Sequence, residues 1–101
     1  MNVMKLMKQA AAMQQSMQKL QEELAARDYS FTAGGGAVTA VAGGDMTIRR
    51  LEISPSAVDP SDIDMLQDLI LAAVNGALGA ARETAAAEMS KLTGGFSLPG
   101  M

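Results

Sequence analysis

The chain has 101 residues, the size of one domain, with no cysteine, no histidine and only three aromatic residues, Tyr29, Phe31 and Phe96. Disulfides and thiolate metal sites are excluded, the commonest metal ligand and general base is missing, and no serine has an obvious base, so the chain reads as a non-enzyme with no cofactor, resident metal or small-molecule substrate. The formal net charge is −3: residues 1–27 carry Lys5, Lys8, Lys19 and Arg27 against Glu22 and Glu23, whereas residues 59–101 carry Arg82 and Lys91 against six carboxylates, a polarity that argues mildly against nucleic acid overall and permits it locally.

Val3, Leu6, Ala10, Met13, Met17, Leu20 and Leu24 recur at alternating steps of three and four. That period of about 3.5 residues predicts a first helix over Val3–Arg27 with one apolar edge held against another helix. Lys5, Lys8 and Lys19 cluster on the side away from this seam. They read either as an ordinary solvated face or as a row of cations for a phosphate backbone. The methionines of the seam read as a helix-packing edge, or as an adaptable surface for varied partner helices.

The period then changes to two. Tyr29–Ala33, Ala37–Ala42 and Met46–Ile53 read as three strands of an antiparallel meander, broken by Gly34-Gly35-Gly36 and by Gly43-Gly44-Asp45. The glycine cluster is followed by neither a Lys-Ser/Thr pair nor a helix, so it is a turn rather than a phosphate loop. Adjacent Arg49 and Arg50 interrupt the alternation of the third strand and predict a bulge or two-sided burial there. Only one of the two arginines is expected to face outward.

Ser54-Pro55 closes the sheet. Asp59-Pro60-Ser61-Asp62 predicts a helix start with Asp59 as N-cap and Pro60 at the first helical position. The second long helix is expected to run to about Leu92 and to be stopped by Thr93-Gly94-Gly95, with Ile63, Leu66, Ile70, Ala73, Ala77, Ala81 and Thr84 along one edge. Asp59, Asp62, Asp64 and Asp68 read as caps and outer-face charges rather than as a metal site. Residues 1–95 form a single expected domain and residues 96–101 a loose tail. Polar interruptions argue against a membrane span and no signal-peptide pattern opens the chain, which points to a soluble cytoplasmic protein. Helices of about 37 and 48 Å must overhang strands of about 20 Å. That overhang, the exposed sheet edges and an apolar second sheet face predict a homodimer.

The segment Leu6–Leu24, the glycine cluster Gly34–Gly36 with its hairpin, Arg49–Pro55, Asp68-Leu69-Ile70 with Ala73 and Asn75, and the ending Gly94-Gly95 with Leu98-Pro99-Gly100 together resemble the YbaB/EbfC family of bacterial nucleoid-associated proteins. The resemblance covers nearly the whole chain in the right order. It implies an α+β protomer of helix, three-stranded antiparallel sheet and long helix, with the helices projecting beyond the sheet in a tweezer-like homodimer. It also implies a cytoplasmic, nucleoid-located protein that binds duplex DNA and alters its conformation, with DNA repair or replication proteins as further candidate partners. Lys5, Lys8, Lys19, Arg82 and Lys91 are the candidate DNA-binding residues; Arg82 is the only cation over 75–90, where family members often carry more charge. The competing reading is a dimeric module whose helical arms hold another protein without touching DNA.

Overall fold

The computed structural model describes residues 2–94. Helix α1 (Val3–Ala26) leads into strands β1 (Asp28–Ala33), β2 (Val38–Gly43) and β3 (Ile48–Ile53), then a single 3-10 turn over Pro55–Ala57 and helix α2 (Ile63–Gly94). The strands form one antiparallel sheet in the order β1-β2-β3. The expected tail at 96–101 lies outside the described residues.

Each end of α1 has a local cause. The Asn2 side chain accepts a hydrogen bond from the Lys5 backbone N–H at 3.2 Å, taking up one of the donors that a helix start leaves unpaired. At the other end Arg27 turns extended, and its N–H bonds back to the Leu24 carbonyl. The start of α2 differs from the expected one. Asp59 accepts from both the Ser61 hydroxyl and the Ser61 N–H, closing a turn, and the cap proper is Asp62, whose carboxylate accepts from the Met65 N–H at 3.2 Å. Asp59 and Ser61 close a self-contained Asx turn, so the helix begins three residues later than the Asp-Pro signal suggested. Nor do Thr93 and Gly94 stop the helix, which continues through both. The Thr93 hydroxyl bonds back to the Met89 and Ser90 carbonyls, an arrangement the helix itself supplies.

The core is thin. Ala33, Val38, Ala40 and Ala42 on one sheet face meet Ala73 and Ala77 of α2, flanked by Leu66, Leu69, Ile70, Val74 and Leu78. Six of the nine buried apolar residues described are alanine, so α2 can lie close on β1 and β2. Gly76 allows the closest approach: a methyl group there would collide with the Phe31 ring. At the far end of the sheet, a side chain on Gly34 would stand 2.7 Å from Leu69, and Gly34 also takes a positive φ. Small residues and apolar length make α2 apolar enough to cross a bilayer by composition alone, with a mean hydropathy of 1.3 over an 18-residue window. The polar interruptions expected from sequence are thus sparser here than that reading assumed. The alanine edge nonetheless packs on an open three-stranded sheet, whose unpaired edges are incompatible with hydrocarbon.

The sheet's second face is not apolar. Ser30, Thr32, Thr39, Arg50 and Glu52 occupy it, with Val41 the one large apolar side chain among them, and Thr32 and Thr39 share a hydroxyl hydrogen bond at 3.0 Å. The uncovered apolar surface is instead on the α2 side. Helix α2 covers β1 and β2 and leaves β3 bare, so Leu51 is 41% and Ile53 37% exposed; Phe31, on β1 at the other edge, is 43% exposed. The predicted bulge is present: the register slips between Val41, opposite Arg50, and Ala42, opposite Ile48.

Two consequences can be measured. Gly76→Ala is expected to lower the stability of the protein by about 1–3 kcal/mol, because the added methyl overpacks against Phe31. Gly79→Ala, three residues on and facing open space, is expected to raise it by up to about 1 kcal/mol through helix propensity. Urea melts of the two variants decide between this packing and a looser one.

A second consequence concerns pH. Hydrogen bonds from the Thr47 hydroxyl, then from its backbone N–H, hold the Asp45 carboxyl below the usual carboxylate range, with Arg49 adding to the effect. The Ser61 hydroxyl and N–H do the same for Asp59. Both groups are depressed in the folded state, so their stabilisation is complete above the unfolded-chain value of about 3.9 and is lost as pH falls through the lower folded values. Melting temperature is expected to stay level from about pH 6 to 8, where no histidine titrates. It should then fall below about pH 4, less steeply in Asp45→Asn and Asp59→Asn.

Candidate nucleic-acid interface

The seam on α1 is only partly covered within the chain. Leu24 is buried and Met13, Met17 and Leu20 are half-buried, while Val3 and Leu6 are exposed. On α2 the matching run is Ala81, Thr84, Ala85, Glu88, Met89 and Leu92, buried or half-buried. These two runs mark the stretch where α1 and α2 lie side by side. The sheet shows which way they point. Helix α2 passes Gly34 at Leu69 and Phe31 at Gly76, so at about 1.5 Å per residue it leaves the sheet near residue 83. Both helices therefore overhang the end of the sheet that carries the β2–β3 hairpin, and the molecule is 72 Å long but only 27 and 16 Å in its other extents.

The sequence-predicted cations are distributed along this overhang. Lys5, Lys8 and Lys19 are exposed on α1 and have no ion-pair partner among the described residues. Lys5 and Lys8, with Asn2 and Met4, border a shallow open depression at the helix tip. From Lys5 to Lys19 the stripe covers about 21 Å, several phosphate steps of a duplex. Arg82 is exposed and unpaired among the described residues, one position after the buried Ala81, where α2 leaves the sheet. Lys91 is exposed near the end of α2 and stands 3.8 Å from Glu88. Within the chain these five residues form two strings on neighbouring helices and do not converge on one point.

Three further arginines complete the electrostatics. Arg50 is the outward member of its pair, held at 3.0 Å by Glu52 on the polar sheet face. Arg49 is turned onto the end of α1, where its guanidinium donates to the Ala25 carbonyl at 2.8 Å and pairs with Asp28. Arg27, the C-cap of α1, is exposed and lacks an ion-pair partner among the described residues; sequence reading passed over it, although a cation directly after a helix that carries the lysine stripe is a visible signal. The acidic residues Asp64 and Asp68 are exposed at the opposite end of α2, well separated from the lysines of the tip.

Comparison with known proteins shows the family. The model of the YbaB/EbfC DNA-binding family matches residues 1–96. A nucleoid-associated protein of Clostridium novyi is 56% identical over 101 residues, covering 100% of this chain and 89% of that protein. One from Pelotomaculum thermopropionicum is 53% identical over 100 residues, covering 99% and 95% respectively. The fold matches the crystal structure of an uncharacterized protein from Helicobacter pylori with a TM-score of 0.75 at 21% identity, over 91% of this chain and 97% of that one. Helix, meander and overhanging long helix, in this order and at this level of identity, leave no other assignment: the chain belongs to the YbaB/EbfC DNA-binding family.

Proposed function

We propose that the protein acts as a homodimer that binds duplex DNA through phosphate contacts along the α1 overhang, as a cytoplasmic, nucleoid-associated protein. The observation that carries this reading is the row Lys5, Lys8 and Lys19: exposed, on one side of a projecting helix, and without carboxylate partners among the described residues. Arg82 and Lys91 extend the positive charge onto α2. Nothing on the overhang has the form of a base-reading helix of a known motif, so the contacts are positional and carry little sequence preference.

Dimerisation is supported by what the protomer leaves uncovered. Ile48, Leu51 and Ile53 form an exposed apolar strip on the α2 side of the edge strand β3, and Phe31 is partly exposed on β1 at the other edge. Tyr29 lies on the same sheet face, and its hydroxyl is enclosed without a hydrogen-bond partner among the described residues, a cost of about 1–3 kcal/mol. Pairing also doubles the lysines available to one duplex.

The exposed apolar tip, Val3, Leu6 and Met7, favours a second reading, in which the arms hold another protein. Salt separates the two. If a dimer neutralises about six phosphates, log affinity for duplex DNA should fall against log salt with a slope near −5. Absence of binding at low salt, or a flat response, supports the protein-partner reading.

Two variants locate the surfaces. Charge reversal at Lys5 and Lys8 is expected to weaken DNA binding uniformly across sequences and to flatten the salt slope, while stability changes by no more than about 0.5 kcal/mol. Retained affinity in this variant moves the binding surface elsewhere. Leu51→Asp is expected to raise the dimer dissociation constant by about a hundredfold, since an unpaired carboxylate buried at an interface costs several kcal/mol. Light scattering on the unmodified protein should give a dimer mass; a stable monomer there ends the two-armed reading.

A further inference from the structure

We infer that Arg49 sets the angle at which α1 leaves the sheet, and is thereby the positioning residue for the lysine arm; this rests on the DNA reading only for its functional consequence. Arg49 is the extra residue of the β3 bulge. Its side chain crosses β2 over Gly43, where a methyl group would collide with the guanidinium. From there it reaches three separate parts of the chain. Nη2 donates to the Ala25 carbonyl at 2.8 Å, and Nη1 to the Ala26 carbonyl at 3.5 Å and to the Asp28 carboxylate of β1. The Asp45 carboxylate, in the β2–β3 hairpin, lies 3.8 Å from Nη2.

The two carbonyls belong to the last turn of α1, where acceptors have no partner within the helix and the dipole favours a cation. The arginine fork satisfies both at once from a fixed plane, which an ammonium cannot do. Gly44 completes the corner. Its N–H donates to the Arg27 carbonyl at 3.1 Å, and it has no side chain where the Leu24 carbonyl lies against it. The end of α1 is thus seated on hairpin backbone, with Leu24 buried beneath it and the Arg49 side chain tying its last carbonyls to the sheet, while its first turns stand free of the fold. Arg49 is also spent on this corner and is not a phosphate contact.

The chain has no cysteine, so two spin labels can be placed cleanly at Gln9→Cys and Glu52→Cys, with labelled protein diluted into unlabelled protein. The unmodified background should give one narrow distance distribution. In Arg49→Gln, with folding and dimer mass verified, the distribution should broaden at least about twofold, and Arg49→Lys should fall between the two. Duplex DNA affinity of unlabelled Arg49→Gln should fall about tenfold through lost pre-organisation, with the salt slope unchanged. A phosphate contact would instead flatten the slope by about two per dimer. An unchanged distance distribution in folded Arg49→Gln, or a flattened slope with full rescue by lysine, overturns the inference. Should Arg49→Gln fail to fold, Gly43→Ala displaces the guanidinium while keeping its charge, and must give the same broadening or the inference fails. If the unmodified protein does not bind DNA, the functional reading fails while the distance measurement still decides the role of Arg49.

Discussion

The fully buried centre of the contact between α2 and the sheet is mostly alanine, side chains too small to hold a fold of this shape alone. The five alanines of that contact remove from water about one methyl group each, roughly 4 kcal/mol in all, which the ordering of only a few residues offsets. That closeness has geometric effects. A helix seated so near the sheet covers only two strands, so β3 keeps its apolar side chains in the open. Its 32 residues also run well beyond six-residue strands, and the excess becomes the bed on which α1 lies. The bare strip and the overhang both follow from the same thin interface.

The sequence made much of this legible because the features concerned are local or periodic. The 3.5-residue recurrence from Val3 to Leu24 marks α1 and its packing edge, and the alanine spacing at 73, 77 and 81 marks the buried edge of α2. Adjacent Arg49 and Arg50 announced the bulge, since a strand cannot keep its alternation through them. The lysines could be assigned a common side of α1 for the same reason.

What stayed hidden was non-local. Periodicity says which edge of α1 is apolar but not how far the neighbouring helix extends along it, and here Val3 and Leu6 outrun their cover. The partners of Arg49 in α1 and β1 lie 21 to 24 residues away, and no spacing rule connects them. The polar second face of the sheet was misread because the alternation within each strand is clear only once the register is known: Thr39 opposite Thr32 and Arg50 opposite Val41 define it. The start of α2 was misplaced because Asp59 and Asp62 are chemically equivalent caps, and the choice between them depends on which turn Ser61 closes.

Along α1, packing and charge are carried by one uninterrupted rod. The half-buried side chains from Met13 to Leu24 set its rotation about its own axis, and that rotation is transmitted without slack to Lys5 and Lys8. Insertion of a single residue between Lys8 and Met13 swings the tip by about 100°, turning the lysines out of line with Lys19, whereas seven residues restore it to within about 20°. The arm can therefore change length only in phase. Divergence in its reach comes in near-whole turns, about 10 Å for seven residues or about 16 Å for eleven, each returning the tip to within about 20°, and other lengths change the bearing of the tip.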